Sequence, residues 1–402
     1  MKIIVIGAGA AGFFASIICA RKYPNAEITL LEAGKDPLAK VRISGGGRCN
    51  VTHHCFDNSQ LIQYYPRGAK SLHGAFSRFA PKETIDWFNQ EGVKLKTEAD
   101  GRIFPVTDSS ETIVDCLLKA ANSAKVNLKT SSPVINILPG FTVVLKKGNQ
   151  LNCDRIMIAT GGSACGYRWA KDLGHHIVTP VPSLFTFNVK DPRLDDLAGV
   201  AVGLAAVSVV VQGKARFTQS GPLLITHWGI SGPAVLKLSA WAARILHENH
   251  YQMTLVINWL PAYQGESLRE ELLKFKSSYA KKQLYSQCPF NLPKRLWQRL
   301  LQSAHINQDK IWAELSKTQL ILLEKELRQG NYQIQGRGVF KDEFVTCGGV
   351  DLSQINFKTM ESKVCPGLYF AGEILDIDGL TGGFNFQSAW TTGAIAGESM
   401  GI

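Results

Sequence analysis

The chain opens on a pattern of apolar and polar positions that predicts alternating strands and helices. Lys2 to Ile6 is a short apolar run and predicts a buried strand. Glycines follow, and Phe13 to Arg21 then has the composition and spacing of a helix. Ile28 to Leu31 predicts a second strand that ends at Glu32. This order predicts a βαβ unit at the start of the chain.

The pattern then changes several times before residue 180. We expect a glycine-rich basic loop over 35–52, followed by a helix over 81–92 with proline in its first turn. A capping box at Asp108 and Glu111 predicts a helix that runs to about Ala124. Residues 126–160 predict an antiparallel meander that ends in the buried strand Arg155–Ala159.

Composition shifts again after Pro180-Val181-Pro182. We expect strands over 184–227 with a hairpin turn near Gly213, a helix from Gly232 to about His247, and a strand from Met253 to Trp259. Helices are expected over 265–328, with breaks at Pro289 and Pro293. Strands and glycine loops should follow after 331, and a last helix should follow Gly382 and run to about Met400.

Composition places the chain among globular proteins of two or three domains. It has 402 residues, of which 45% are hydrophobic and 19% charged. No apolar run approaches the ~20 residues of a membrane span, and the N-terminus lacks the features of a signal peptide. We therefore expect a cytoplasmic protein without a membrane partner. Nothing in the sequence fixes the oligomeric state.

The charge of +11 permits nucleic acid or another anionic partner. The stretch 265–300 holds eight basic and three acidic residues, interleaved with aromatic residues, which suits RNA. A solvated helical face over an aromatic core is the commoner meaning of such a pattern and is slightly favoured. The nine cysteines include no C-x-x-C pair, and His53-His54-Cys55 lacks a fourth spaced ligand, so no metal site is expected.

The first turn has the spacing of a dinucleotide-binding fingerprint, Gly7-x-Gly9-x-x-Gly12. The first glycine makes the turn, the second admits a pyrophosphate, and the third lets the helix pack on the strand. Glu32 would then accept the ribose hydroxyls. The residues expected at this end of the cofactor are Gly7, Ala8, Gly9, Ala10, Ala11, Gly12, Glu32 and Ala33.

A single fingerprint indicates one resident dinucleotide, either NAD or FAD. The C-terminal segment favours FAD, since Gly372-Glu373 ends a strand and Gly382-Gly383-Phe384-Asn385 starts a helix. The N-terminus of such a helix stabilises negative charge at the pyrimidine edge of a reduced flavin.

Several motifs resemble one flavoprotein family, which includes bile-acid enone reductases, aminoacetone-oxidase-like enzymes and an rRNA dihydrouridine synthase. They span Lys2 to Gly397 and comprise Lys40-x-Arg42-x-Ser44-Gly45-Gly46-Gly47-Arg48-Cys49-Asn50-x-Thr52, Gly101-Arg102-Ile103-Phe104-Pro105, Ala159-Thr160-Gly161-Gly162, Thr226-His227-Trp228-Gly229-Ile230-Ser231-Gly232-Pro233, Thr346-Cys347-Gly348-Gly349-Val350 and the segment from Gly367 through Asp376-Ile377-Asp378-Gly379.

The resemblance implies bound FAD and an α/β fold with a discontinuous, glutathione-reductase-like Rossmann domain. Its expected ranges are 1–185 and 340–402 for the FAD domain, 186–264 and 329–339 for a β-barrel-like insert, and 265–328 for a helical insert. The further residues expected at the cofactor are Lys40, Ser44, Gly45, Gly46, Gly47, Arg48, Cys49, Asn50, Val134, Ala159, Thr160, Gly161, Gly162, Gly372, Glu373, Asp378, Gly382, Gly383, Phe384 and Asn385.

The chain departs from many family members after Gly162, where only Ser163 to Tyr167 precede the next helix. The segment Pro182 to Phe187 resembles the aminoacetone-oxidase-like branch more than the others. These differences prevent a simple transfer of substrate from another branch.

Two residues are candidates for catalysis. Cys49 is a candidate acid near the flavin, although an inert, packed thiol is the favoured interpretation. His227 is a candidate proton donor, and a hydrogen-bonded structural histidine is the equal alternative.

The leading functional hypothesis is an FAD-dependent oxidoreductase that reduces a conjugated C=C bond, with uridine in ribosomal RNA or a small molecule as substrate. NAD(P)H would bind only transiently, because no second fingerprint is present. Oxidation of a small amine such as aminoacetone is the first alternative. A non-catalytic flavin-binding redox sensor is the second.

Overall fold

The structure is a computed structural model, and it describes residues 1–338 and 345–402. Its strands are β1 (Lys2–Ile6), β2 (Glu27–Leu31), β3 (Thr52–His53), β4 (Leu95–Thr97), β5 (Arg102–Pro105), β6 (Asn127–Lys129), β7 (Val134–Leu138), β8 (Thr142–Leu145), β9 (Gln150–Asn152), β10 (Arg155–Ile158), β11 (Ile177–Ser183), β12 (Phe187–Asn188), β13 (Ala201–Val211), β14 (Lys214–Thr226), β15 (Gly229–Ser231), β16 (Met253–Asn258), β17 (Gly330–Ile334), β18 (Gly336–Arg337), β19 (Val345–Val350), β20 (Ile355–Asn356), β21 (Glu361–Ser362) and β22 (Leu368–Phe370).

The α-helices are α1 (Ala10–Lys22), α2 (Ala39–Gly47), α3 (Asn58–Leu61), α4 (Ala69–Phe76), α5 (Pro81–Gln90), α6 (Glu111–Ser123), α7 (Ala164–Asp172), α8 (Pro233–Trp241), α9 (Ala243–Glu248), α10 (Ser267–Ser278), α11 (Lys294–Ser303), α12 (Lys317–Gln329) and α13 (Phe384–Ser399).

The chain divides into two compact units. Unit 1 joins residues 1–182 to residues 345–402, and unit 2 comprises the described residues 183–338. The domain ranges expected from the sequence, with changes at 185 and 340, stay predictions. The predicted boundary at residue 340, and residue 339 at the end of the predicted insert, lie outside the described residues.

Unit 1 is built on a seven-stranded sheet in the order β20-β21-β22-β10-β1-β2-β6. The strands from β22 to β6 pair in parallel, and β20 and β21 add an antiparallel edge. The order β6-β2-β1-β10 follows the Rossmann pattern, in which ligands bind beyond the carboxyl ends of the strands. The βαβ unit predicted for residues 2–32 is present, with β1 paired to β2 in parallel.

Helices α1 and α13 pack closely in unit 1, although they come from opposite ends of the chain. A Cβ atom placed on Gly393 would lie 2.8 Å from the carbonyl oxygen of Ala11. One placed on Gly397 would lie 2.5 Å from the oxygen of Ala15. Only glycine permits this approach, so the sequence of α13 holds it against the helix that begins at the first glycine turn.

Unit 2 contains a second seven-stranded sheet in the order β17-β16-β13-β14-β15-β12-β18. The hairpin predicted near Gly213 joins β13 to β14, and both Gln212 and Gly213 have the positive φ of a type I′ turn. Helices α10, α11 and α12 lie in the stretch that the sequence assigned to helices. The core includes the buried residues Trp259, Trp297 and Trp312.

Four details of the sequence-based prediction were wrong. The loop expected over 35–52 contains α2, whose helical path is interrupted at Ser44, Gly45 and Gly46. The helix expected from Gly232 to His247 divides at Ala242 into α8 and α9. Strand β6 joins the parallel sheet, so only β7, β8 and β9 form the antiparallel meander. The N-cap of α6 is Ser110, because the Asp108 carboxylate pairs with Lys96 instead.

Candidate functional site

The three glycines of the β1–α1 turn have different roles. Gly7 has φ +106°, and a Cβ on Gly12 would lie 1.9 Å from the oxygen of Gly7, so both positions require glycine for the turn itself. A Cβ on Gly9 would meet no atom within 4 Å. Helix α1 begins at Ala10 and Ala11, and no side chain caps it. The turn therefore presents open space and helix N–H groups together, as a phosphate requires.

Glu32 follows β2 and is half-buried beside this turn. Its Oε2 accepts a hydrogen bond from the Ala8 N–H at 3.0 Å, and its Oε1 accepts one from Gly34 at 2.9 Å. Ala33 is exposed next to it. Each carboxylate oxygen has a further lone pair, so these bonds leave capacity for ribose hydroxyls. Val134 begins β7, two residues after Ser132, whose N–H donates to the Glu32 carbonyl.

The glycine-rich segment 44–50 forms an open cradle. Gly45, Gly46 and Gly47 all have positive φ, and a Cβ on Gly46 or Gly47 would meet no atom within 4 Å. The Ser44 carbonyl accepts a hydrogen bond from the Cys49 N–H at 3.0 Å and closes the segment. The three glycines are exposed. Exposed backbone N–H groups in this conformation suit an anionic group such as a phosphate.

Arg48 makes its contacts with neighbouring side chains of unit 1. Its guanidinium donates to Glu98 at 2.6 Å and lies 4.0 Å from the ring centroid of Phe104. Asp108 is a second carboxylate partner at 3.4 Å. These contacts support a role for Arg48 in fixing the glycine segment, and a direct contact with a cofactor remains a prediction.

Lys40 and Glu373 lie together although 333 residues separate them in sequence. Lys40 Nζ pairs with Glu373 Oε2 at 2.5 Å, and Glu373 Oε1 accepts from the Thr346 N–H at 2.9 Å. The Glu373 carboxylate also lies beside Gly161 and Gly162, the two glycines that follow β10. Gly372 has φ +77°, and a Cβ there would lie 2.9 Å from the Cβ of Ala11. The residues after β10 and β22 thus meet the start of α1.

The N-terminus of α13 completes the region. Gly383 is its N-cap and has no side chain with which to cap the helix. With its amide oxygen turned toward α13, Asn50 accepts a hydrogen bond from the Gly383 N–H at 2.9 Å. The Asn385 amide accepts from the N–H of Gly379 and donates to its carbonyl, each at 2.8 Å. Asn50 and Asn385 therefore fix the loop from which the helix begins.

Asp378 lies fully buried in that loop and forms a bidentate ion pair with Arg67. Both carboxylate oxygens engage the guanidinium, so the structure favours a role in holding the loop over a direct contact with the cofactor. Phe384 is also buried and stacks against both His53 and Tyr64, with ring centroids 4.7 Å and 4.2 Å away. Gly382 adjoins the His53 ring.

The two catalytic candidates differ in their surroundings. Cys49 is fully buried in unit 1, and burial raises the pKa of its thiol to about 12. This environment supports the packing role. His227 lies exposed in the turn between β14 and β15 of unit 2. The described residues contain no group of three or more His, Cys, Asp or Glu side chains placed to hold a metal ion.

Sequence reasoning missed several residues that organise this site. Arg67 holds Asp378, Thr346 binds Glu373, and His53 stacks on Phe384, although the sequence offered His53 only as a metal ligand. Proximity to the recognised motifs was the one available signal, because each contact joins distant parts of the chain.

Two features test whether these residues suit a dinucleotide such as FAD. The positions at Gly9, Gly46 and Gly47 are open where the cofactor would need backbone access. The Thr160 Oγ1 atom, directly after β10, is buried and has no hydrogen-bond partner among the described residues. A buried hydroxyl without a partner is costly, and a bound ligand would supply one. The residues of this site therefore fit FAD.

The parallel sheet, the open glycine turn and the acidic residue after β2 define a Rossmann-type dinucleotide-binding protein. A family model described as the HI0933-like protein Rossmann domain matches residues 1–399. The chain belongs to this family. The resemblance and the α/β Rossmann fold predicted from the sequence are confirmed, and so is the prediction of an oxidoreductase.

Three relatives match almost the whole chain. The ribosomal RNA dihydrouridine synthase of Escherichia coli (strain K12) is 32% identical, over 97% of this chain and 95% of the relative. The protein of the same name from Haemophilus influenzae is 31% identical, over 97% and 96%. The 3-dehydro-bile acid delta(4,6)-reductase of Clostridium scindens is 30% identical, over 99% and 98%.

A solved structure shares the fold over the full length. The 3-ketosteroid delta1-dehydrogenase of Sterolibacterium denitrificans aligns with a TM-score of 0.52 at 13% identity, and 99% of each chain is covered. No helix in the described ranges 1–338 and 345–402 is long and apolar enough to span a membrane.

Proposed function

We propose that this protein binds FAD and reduces a carbon–carbon double bond, with uridine in ribosomal RNA as the substrate. One observation carries the proposal: the full-length relatives are named for such reductions. Two are 32% and 31% identical and are named ribosomal RNA dihydrouridine synthase, and one is a bile-acid reductase at 30%. Dihydrouridine is uridine whose ring double bond has been reduced, so the three names share one type of chemistry.

The chain offers groups for three parts of FAD. The start of α1 and the open position at Gly9 would receive the pyrophosphate, and Glu32 would accept the ribose hydroxyls. The N-terminus of α13, whose N-cap Gly383 has no side chain, would stabilise negative charge at the pyrimidine edge. FAD, when bound, supplies a hydride carrier, while the protein supplies orientation and electrostatics.

Reduction of a double bond also needs a proton and a source of electrons. NAD(P)H is the proposed donor of electrons, bound only transiently, because the sequence has no second dinucleotide fingerprint. Cys49 is poorly suited to deliver the proton, since it is buried and its pKa is raised to about 12. His227 is exposed and stays a candidate donor.

The alternatives have weaker support. The three relatives named above are named for forming reduced products, which favours reduction over oxidation of a small amine. The redox-sensor hypothesis predicts flavin that no donor or acceptor turns over. The charge of +11 favours RNA over a neutral small substrate.

The test is nucleoside mass spectrometry of ribosomal RNA from cells with and without this gene. We expect dihydrouridine to fall on deletion and to return with the wild-type gene. A matched control is complementation with the Gly9→Ala variant, which should fold but not hold the cofactor. An unchanged dihydrouridine level in the deletion strain would contradict the RNA substrate, and a screen of amines and enones would follow.

A further inference from the structure

Unit 2 contains a solvent-facing cleft of about 790 Å³ beside α11. Five residues of α11 line one wall, and they carry charged or amide side chains: Lys294, Arg295, Gln298, Arg299 and Gln302. Tyr285 and Gln283 come from the preceding loop. None of these residues belongs to the dinucleotide site described above. The cleft is therefore a separate feature that needs its own explanation.

The helical period places these polar residues together. Lys294, Gln298 and Gln302 are spaced by four residues, so they follow one line along α11, and Arg295 and Arg299 follow the neighbouring line. The opposite face is buried in the core of unit 2 through Leu296, Trp297, Leu300 and Leu301. Because the buried face fixes the rotation of the helix, the polar face must point into the cleft.

The opposite wall is attached to α11 by specific hydrogen bonds. Trp297 Nε1 donates to the Leu284 carbonyl at 2.8 Å, and Gln298 Nε2 donates to the Tyr285 carbonyl at 3.1 Å. The Tyr285 hydroxyl donates to the Ile306 carbonyl at 2.9 Å. These bonds join the loop, the helix and the segment after it. The cleft is thus preformed, which lowers the entropic cost of binding a ligand.

Positive charge surrounds the cleft and is only partly neutralised. Lys294 and Arg295 are exposed, and Arg299 pairs at 3.1 Å with Asp196, whose side chain is 83% exposed. An exposed pair of this kind is weak and exchanges readily with another anion. Asp309 is the second acidic residue in the lining. The cleft thus combines three cationic side chains with two carboxylates.

We propose that this cleft binds a single-stranded segment of ribosomal RNA, and this inference rests on the proposed function. Lys294, Arg295 and Arg299 would contact phosphates, and the glutamine amides and Tyr285 would contact base edges and ribose hydroxyls. Amides both donate and accept, as base edges require.

The lining also argues against an apolar ligand. Leu197 is the one aliphatic side chain among the described residues that line the cleft. A steroid would need an apolar surface to replace its contact with water. The polar lining therefore favours RNA over an apolar ligand as the occupant of this cleft.

The test compares two triple variants of the FAD-loaded protein. The cleft variant is Lys294→Gln, Arg295→Gln and Arg299→Gln. The control is Lys214→Gln, Lys274→Gln and Lys325→Gln, which removes the same charge from exposed positions of unit 2 outside the cleft. Binding to a fluorescein-labelled single-stranded fragment of ribosomal RNA is measured by anisotropy over a series of salt concentrations.

We expect the cleft variant to bind the RNA at least about tenfold more weakly. The slope of log K against log salt should fall by about 0.7 for each phosphate that the variant no longer neutralises, or about 2 in all. The control should keep most of the wild-type affinity. Flavin content and NAD(P)H oxidation with a surrogate acceptor should be unchanged in both variants, since none of the substituted residues belongs to the dinucleotide site.

Two results would overturn the inference and are distinguishable. If wild type forms dihydrouridine in cells and the cleft variant binds RNA as the control does, the cleft is not the RNA site while the proposed function stands. If wild-type protein binds no RNA and deletion leaves dihydrouridine unchanged, the inference fails together with the RNA substrate.

Discussion

At the scale of single residues, Glu32 has two roles that must be separated. Its oxygens hold the N–H groups of Ala8 and Gly34, and they are also the proposed ribose acceptors. We expect Glu32→Ala to lower FAD affinity about 10- to 150-fold, as the loss of a charged hydrogen bond worth about 1.5–3 kcal/mol implies. The ratio of flavin absorbance to protein in the purified variant measures this. Glu32→Gln, which keeps one acceptor oxygen, should lie between.

A thermal melt of apoprotein is the control for that substitution, because removal of the two backbone hydrogen bonds would lower stability without any effect on the ribose. Full flavin occupancy in Glu32→Ala would refute the assignment of the ribose to this residue.

Cys49 lies in a motif that resembles a flavoprotein family, and its substitution tests whether the thiol takes part in the reaction. The side chain is fully buried, and the pKa of the thiol is raised to about 12. We expect Cys49→Ala to keep kcat within about twofold and to lose about 1 kcal/mol of stability, since a small buried side chain is truncated. Steady-state turnover and thermal melting measure the two quantities. Large loss of turnover in a folded, flavin-loaded variant would show instead that the thiol supplies the proton.

His175 gives unit 1 a dependence on pH. Its ring is buried between the Ala170 carbonyl and the Ser362 hydroxyl, and burial lowers its pKa from 6.5. The folded state therefore binds the proton less readily than the unfolded state. The stability from neutral His175 is complete above the unfolded pKa and is lost as pH falls through 6.5 toward the lower folded value.

We expect the melting temperature to fall on acidification over that window, and less steeply in His175→Gln. The exposed His73→Gln is the matched control in the same unit and should behave as wild type. The effect of His175→Gln is partial, because burial also lowers the pKa of His53. Wild-type acid dependence in His175→Gln would contradict this account.

At the scale of elements, the β1–α1 turn allows cofactor binding to be separated from folding. Gly9 has ordinary extended dihedrals and open space around it, whereas a Cβ on Gly12 would lie 1.9 Å from the Gly7 oxygen. Gly9→Ala should keep or slightly raise the melting temperature of apoprotein and prevent flavin binding. Gly12→Ala should lose about 1–3 kcal/mol of stability. Thermal melts and flavin absorbance of both variants measure the two effects. Equal effects of the two substitutions on stability and on flavin binding would contradict this separation.

The same elements explain which parts of the site the sequence could predict. The glycine turn and Glu32 were predictable because their roles depend on local spacing and on a strand ending at a known place. The Lys40–Glu373 and Arg67–Asp378 pairs join residues more than 300 positions apart, and only the folded sheet brings them together. The interruption of α2 depends on the positive φ of Gly45 and Gly46, which no hydrophobic pattern specifies.

At the scale of the whole molecule, the two units differ in how the chain builds them. Unit 2 is continuous, and among the described residues its hydrophobic core draws on positions from Phe185 to Ile334. Unit 1 requires both ends of the chain, since β22 pairs with β10 and α13 packs on α1. Insertion of a continuous unit into a loop of another leaves each with its own core, which is how inserted domains are tolerated.

This difference predicts opposite behaviour of two fragments. The fragment 183–338 should fold alone and melt cooperatively without binding flavin, because its β-sheet and helices retain their core. The fragment 1–182 should show no cooperative transition, since it lacks the strand beside β10 and the helix against α1. Circular dichroism melts measure both, and adding residues 345–402 through a short linker should restore the transition in the second. A cooperative melt of 1–182 alone would mean that β22 and α13 are dispensable for the sheet.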